Sequence, residues 1–367
     1  MHEEMAKKLV EHYNKFPIAH PKSVDGDEWR MFELLDPISD EEAEVMLNLR
    51  PYPEHIDDIS ERMGRAKSEL IPLLGSLQKK AWVLRMGSPE KGQYWTQCWG
   101  PGQYELLVNR YTPEYVQYIT QKIVTPETLV NIYGTPDMTP WFRILPREQS
   151  IPMDIEVYPY EMISHMIMET DQIALADCMC RTKAKLLGQG CDAPRDSMCM
   201  WFSFWAQAIV DIGAAKLVGK DEALKTLKRA HNAGLIHQVT TTHEPLFLCN
   251  CCPCCCDPLV AALSIVPYTT MHSNFVSEVN MELCTGCGDC IKTCYPHALE
   301  LERKTEKAVL EVEKCIGCGL CVAACPHPGA ITLQRKPTEE VKVVNSRTWH
   351  DWLALRAKES GRDEFYK

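Results

Sequence analysis

An α+β, multi-domain chain is predicted by three observations. First, 367 residues suffice for two or three units, each with its own core. Second, helix-period stretches followed by an alternating ribbon fill residues 38–115, whereas strand-like and helix-like stretches alternate through residues 141–262. Third, one cysteine spacing occurs twice, at residues 284–294 and 315–325. The divisions expected are an arm (1–37), a helix-and-ribbon domain (38–115), a cysteine-rich α/β domain (141–262), a repeat domain (276–335) and a helical tail (336–367).

Residues 1–37 read as a polar, partly helical arm with a breaker-rich "FPIAHPKSVDGDEW". In "SDEEAEVMLNL", Ser39 is a candidate N-cap, and Ala43, Val45, Met46 and Leu49 can form a buried face. "EHIDDISERMG" predicts a second helix ending at Gly64, and "KSELIPLLGSLQKK" a third with Leu70, Leu74 and Leu77 on one face. Pro72 is expected near that helix's first turn, where proline does least harm. "AWVLRM", a turn at "GSPEKG" and "QYWTQCW" predict a two-stranded ribbon. Three helices and a hairpin follow the order of a winged helix. DNA binding through the third helix is disfavoured, because residues 38–110 carry eleven acids against nine bases. A docking module is the better reading.

In the middle domain, "SIPMDIEVYP" predicts a strand, "YEMISHMIMET" a helix and "QIALAD" a strand running into "CMC". "SMCMWFSFWAQAIVDIG", apolar all round, predicts a buried helix. "DEALKTLKRAHNAG" predicts an amphipathic helix from Asp221 to Gly234. "LIHQVTTT" and "PLFLCNC" predict strands, the second delivering "CNCCPCCC" at residues 249–256. Near the C-terminus, "TWHDWLAL", with Trp349 and Trp352, predicts an amphipathic helix that packs on the body or meets a partner.

Nineteen cysteines are far too many for ordinary packing, and the chain is too large to need a disulfide framework. The charged opening "MHEEMAKKLVEHYNKF" lacks the apolar core of a secretory signal, and no apolar run approaches a membrane span. A cytoplasmic location is therefore expected, where clustered thiols hold metal more often than each other. The net charge of −11 lowers the expectation of a nucleic-acid partner.

"CTGCGDCIKTC" and "CIGCGLCVAAC" share the spacing C-x2-C-x2-C-x3-C. Three thiolates two residues apart can wrap one iron–sulfur cubane, while the fourth turns toward another. Glycines 286, 288, 317 and 319 allow the tight curvature this needs. Residues 276–335 thus resemble a bacterial-type two-cluster ferredoxin domain. The resemblance implies two [4Fe–4S] clusters, one held by Cys284, Cys287, Cys290 and Cys325, the other by Cys315, Cys318, Cys321 and Cys294. The family's proline follows Cys325 as Pro326, but Tyr295 stands in its place after Cys294. A pair of zinc sites is the alternative that the duplicated spacing disfavours.

Eleven cysteines lie outside this repeat. Cys178, Cys180, Cys191 and Cys199 could complete another cubane or a structural zinc site. Arg181 is a candidate to offset cluster charge or to be a surface residue. Cys249, Cys251, Cys252, Cys254, Cys255 and Cys256 can present ligands on two faces, because neighbours on an extended chain point oppositely. At least one further iron–sulfur cluster is expected among these ten thiols, while Cys98 reads as packing. His237, His243 and His297 lie near cysteine-rich stretches as candidate donors but are individually unremarkable. From residue 38 to 335 the arrangement resembles a group of multi-domain iron–sulfur proteins found in anaerobic bacteria and archaea.

No dinucleotide or phosphate-binding glycine loop, H-E-x-x-H motif or nucleophile elbow occurs. The reading favoured is an electron-transfer protein serving a redox partner. The next is an iron–sulfur oxidoreductase with a catalytic cluster at residues 249–256. A redox-sensing winged-helix regulator and a metal store or assembly scaffold follow. The oligomeric state is not legible.

Overall fold

The computed structural model describes residues 1–135, 138–265 and 271–366. The first helix, α1 (Glu3–Tyr13), does not belong to a free arm. It buries Ala6, Leu9, Val10 and Tyr13 in the same core as the helices that follow. Its apolar residues recur three and four apart, which gives one face to bury.

The next elements are α2 (Asp40–Leu47), β1 (Glu54–His55), α3 (Ile56–Met63), α4 (Lys67–Lys79), β2 (Leu84–Met86) and β3 (Gln93–Trp95). Ser39 caps α2 reciprocally with Glu42, and Gly64 closes α3 in a left-handed conformation. Leu70, Leu74 and Leu77 of α4 are fully buried. Pro72 lies in the second turn of α4 rather than near the first, on the helix's partly exposed side. A short strand that the sequence did not announce, β1, joins the ribbon to give the order β1-β3-β2, all antiparallel.

Three helical pieces follow: α5 (Tyr104–Leu106), α6 (Pro113–Tyr118) and α7 (Pro126–Tyr133). The last two begin alike, with Thr112 and Thr125 as side-chain caps and proline at the first helical position. Both starts share the sequence Thr-Pro-Glu, a signal the sequence reading passed over.

The middle region is built on β4 (Phe142–Leu145), α8 (Ile163–Glu169), β5 (Ile173–Ala176), α9 (Met179–Leu186), β6 (Cys199–Phe202), α10 (Ser203–Asp211), β7 (Ala215–Val218), α11 (Lys220–Asn232), β8 (Ile236–Thr240), β9 (Phe247–Cys251), α12 (Asp257–Val260) and β10 (Met271–His272). Among the described residues these strands form one seven-stranded sheet, β10-β4-β8-β9-β6-β5-β7, antiparallel except at β10–β4. One face, with Leu175, Met200, Phe202, Val239 and Leu248, packs under α8 and α11. The opposite face, with Ala174, Trp201 and Phe247, shares its core with the N-terminal helices and ribbon. The expected division between those two regions is therefore not a division of the core.

Two local expectations fail for physical reasons. Residues 150–159 are irregular rather than a strand, since Pro152 and Pro159 remove amide donors; the strand is the preceding "FRIL". The apolar run at 197–213 is not one helix. Its first part is β6, which is paired on both edges and therefore apolar on both faces, and its remainder is α10.

The repeat region comprises β11 (Phe275–Val279), α13 (Asp289–Lys292), β12 (Leu299–Leu301), β13 (Ala308–Leu310), α14 (Leu320–Ala324) and β14 (Ile331–Arg335). Two antiparallel pairs, β11–β14 and β12–β13, enclose a small core that includes Cys290 and Cys321. It sits against the sheet through the Arg147 amide donating to the Cys318 carbonyl (3.1 Å) and the Ser150 hydroxyl donating to the Gly319 carbonyl (3.0 Å). A buried Arg335–Glu161 pair adds to the contact.

Finally, α15 (Trp349–Glu359) folds back on the body, where Trp352 donates to the Pro140 carbonyl (3.2 Å) and meets Trp141 edge-on. Of the two outcomes expected for this helix, packing is the one realised. No helix among the described residues is long and apolar enough to cross a membrane.

Candidate iron–sulfur and metal-binding centres

The nineteen cysteines fall into four groups and one remainder. Cys98 is the remainder: burial in the N-terminal core pushes its thiol up to about 12, as befits a packed residue.

The first group is Cys284, Cys287, Cys290 and Cys325, which line one small cavity together with Gly286, Gly288 and Ala308. Cys290 is raised to about 11, by burial first and then by the other three sulfurs. The Ala308 amide donates to the Cys284 sulfur at 3.4 Å. The second group is Cys294, Cys315, Cys318 and Cys321. Burial raises Cys321 to about 12, with Cys315 and Cys294 adding to the effect. The Ser277 hydroxyl lies 3.1 Å from the Cys321 sulfur. In each group, three cysteines from one motif meet the last cysteine of the other. All four glycines at 286, 288, 317 and 319 have positive φ, from 65° to 78°. Four convergent thiols are the donor set a [4Fe–4S] cluster requires, so the residues of both groups fit it.

The other ten thiols do not divide as the sequence suggested, into a 178–199 set and a 249–256 set. The strand geometry of β9 splits them differently. Cys249 and Cys251, two apart, share one face, while Asn250 points to the other. Cys199 on β6 lies opposite Cys249 from one side, and Gln238 on β8 from the other. Ala176 continues the row beside Cys199, and its small side chain leaves room above the sheet. Cys178 stands at the N-cap position of α9 and Cys180 in its first turn, so the helix N-terminus faces the same space. Cys256 precedes α12.

The result is a third group of six thiols lining one internal cavity: Cys178, Cys180, Cys199, Cys249, Cys251 and Cys256. They neighbour one another in series, Cys178 beside Cys180, then Cys256, Cys251, Cys249 and Cys199, each influencing the next one's ionisation. Burial pushes the Cys256 thiol well above its ordinary value, with Cys251 adding to the shift. A dry nest of adjacent thiols cannot ionise without cations, which is the situation metal binding resolves.

Several residues without an obvious sequence signature complete this cavity. Gln238 donates to the Cys256 sulfur at 3.6 Å. Asp257 pairs with the buried Lys183 and accepts from the Tyr104 hydroxyl at 3.1 Å. Glu105 lines the cavity and accepts from the Gly102 amide at 2.6 Å; burial raises its carboxyl to about 7.

The fourth group is Cys191, Cys252, Cys254 and Cys255, whose sulfurs all lie within 4.8 Å of one another. Burial opposes ionisation of Cys191, but the Ala193 amide and three neighbouring thiols outweigh it and lower its pKa. Arg181 is 4% exposed and stands between the third and fourth groups. Its Nη2 donates to the Asn250 carbonyl at 2.7 Å, and its charge faces Cys178, Cys252 and Cys251. Among the described residues, Nε and Nη1 find no acceptor of good geometry, so this guanidinium is aimed at anionic sulfur.

None of the three candidate histidines joins a cysteine group; His327, not singled out in the sequence, lines the cavity of the first. His237 is buried against Asn250 (2.7 Å) and pushed down to about 3 by burial. His243 is exposed beside the Val344 carbonyl at 2.7 Å, and His297 is an exposed turn residue with φ 52°.

No curated protein and no solved structure matched the chain. Residues 283–330, which carry the first two groups, match the family model of the 4Fe-4S dicluster domain.

Proposed function

We propose that this chain is an iron–sulfur electron-transfer protein, in which two [4Fe–4S] clusters in the repeat region connect a redox partner to a third iron–sulfur centre in the six-thiol cavity. When bound, such clusters accept and release single electrons. The observation that carries the reading is the continuity of the thiol groups. Cys318 of the second group shares one apolar cluster with Cys251 and Cys256 of the cavity, through Ile316, Leu320 and Leu259. The chain thus sets a closely packed apolar path between them.

The partner is a redox protein that meets the Cys284–Cys325 end. There Cys287 is exposed, and the apolar side chains of Met281 and Leu283 are more than a third exposed. The N-terminal helices and ribbon are a winged-helix-like docking module rather than a DNA reader. Support comes from the β1-β3-β2 order and from the acidic balance of that region.

Metal and sulfide quantification on anaerobically purified protein, with EPR, tests the reading. About eight irons are expected for the repeat and more for the cavity. Paired Cys251→Ser and Cys256→Ser substitutions should remove only the excess iron and its signal. An iron count of eight that these substitutions leave unchanged would remove the third centre.

A second reading, an oxidoreductase reducing a small substrate in the cavity, is favoured by one observation. Glu105, with its carboxyl near neutrality, stands as a proton donor in the same space as six thiols. Glu105→Gln should then abolish substrate reduction while leaving the EPR spectrum intact.

A further inference from the structure

The fourth group differs from the other three in scale. The Cys191 sulfur lies 3.6 Å from Cys252 and 3.8 Å from Cys255, and Cys254 lies 3.7 Å from Cys255. Four thiolates at about 2.3 Å from one ion stand at the corners of a tetrahedron whose edge is about 3.8 Å. A cubane spreads its four thiolates farther, because each sits on its own iron. The spacing here is that of a single ion.

We propose that Cys191, Cys252, Cys254 and Cys255 bind one zinc ion in a tetrahedral four-sulfur site, separate from the electron path. This goes beyond the iron–sulfur reading and stands without it. Tetrathiolate geometry selects a thiophilic ion of this class, and all four positions are filled by protein, so no open coordination remains for substrate. Binding releases four thiol protons and leaves a net charge of −2 on the site. The chain supplies compensating charge chiefly through Arg181, which lines the same surface pocket as Cys191 and whose charge faces Cys252; Lys185 lines that pocket too, while Arg195 is paired with Asp196 and Asp177.

The ion acts as a clamp. Cys191 lies in the connection between α9 and β6, whereas the other three follow β9, 61 residues or more along the chain. Joining them fixes that connection to the segment after β9 and closes a long loop, where a cross-link restricts the unfolded chain most. Cys252 and Cys255 are buried and Cys191 and Cys254 exposed, so the ion sits half out of the surface. An electron carrier would gain nothing from a zinc there, and the apolar path from Cys318 bypasses it through Cys251 and Cys256.

The test quantifies zinc and iron together in the full chain, purified without oxygen. One zinc per chain is expected. The double variant Cys191→Ser, Cys254→Ser uses the two exposed ligands so that the core is untouched, and it should lower zinc at least about tenfold while leaving iron and the EPR spectrum unchanged. Chain expressed with cobalt in place of zinc should show the visible bands of a tetrahedral cobalt thiolate, absent from the variant. Two outcomes overturn the proposal: wild-type chain that takes up neither zinc nor cobalt, or a variant that loses iron instead. Because iron in the other groups is measured in the same sample, failure of the zinc site and failure of the iron–sulfur reading are told apart.

Discussion

His20 shows how a single buried group sets a property of the whole chain. It is 2% exposed, donates from its Nδ1 to the Pro21 carbonyl (3.0 Å) and stacks on Phe32. Burial pushes its pKa down to about 4 from the ordinary 6.5. A depressed histidine stabilises the fold fully above pH 6.5 and loses that contribution as pH falls toward its folded value. Between pH 6.5 and 5 the loss from this residue should reach about 2 kcal/mol. Urea midpoints across that range should fall, and His20→Phe, which cannot titrate, should show a shallower decline. An unchanged slope would locate the acid sensitivity elsewhere, with His237 the next candidate.

At the scale of an element, the two cysteine motifs depend on backbone that only glycine adopts easily, but not equally at each position. Gly317 has φ +65°, and a Cβ there would meet the Phe275 carbonyl oxygen and the Ser273 hydroxyl. Gly288 has φ +78° but open space around it. Gly317→Ala should therefore cost about 2–3 kcal/mol and reduce iron content, whereas Gly288→Ala should cost only about 1 kcal/mol, the backbone preference alone. Thermal unfolding and iron counts on the two variants read the difference. Equal effects would mean that the contact with β11 is not what constrains the second motif. The same reasoning explains β9, where a two-residue period sends Cys249 and Cys251 into one cavity. Cys252 and the turn beyond it are turned to a separate site.

For the molecule as a whole, the shared core matters more than the order of segments. Trp95 of the ribbon meets Trp205 of α10 at 5.5 Å, and residues from α1 to α15 belong to one apolar cluster. The N-terminal helices, the sheet and the C-terminal helix should then unfold together. Tryptophan fluorescence and far-UV circular dichroism should give coincident transitions for this part. An early, separate transition of the N-terminal helices would show them to be an independent domain after all.

The duplicated C-x2-C-x2-C-x3-C spacing, the caps at Ser39 and Gly64 and the strand that delivers Cys249 were legible because each is a local relation, fixed within a few residues by backbone geometry. The 4Fe-4S dicluster domain at residues 283–330 followed from the sequence alone for that reason. The partition of the other ten thiols was not legible. Cys191 joins Cys252 rather than Cys199, and Cys178 joins Cys256, because sheet order and strand pairing bring together residues far apart in the chain. The same holds for Glu105, Lys183 and Asp257, ordinary polar residues in sequence that become a site only when α5, α9 and α12 converge on one cavity. Spacing along a chain determines which ligands can share a turn; only packing decides which turns share an ion.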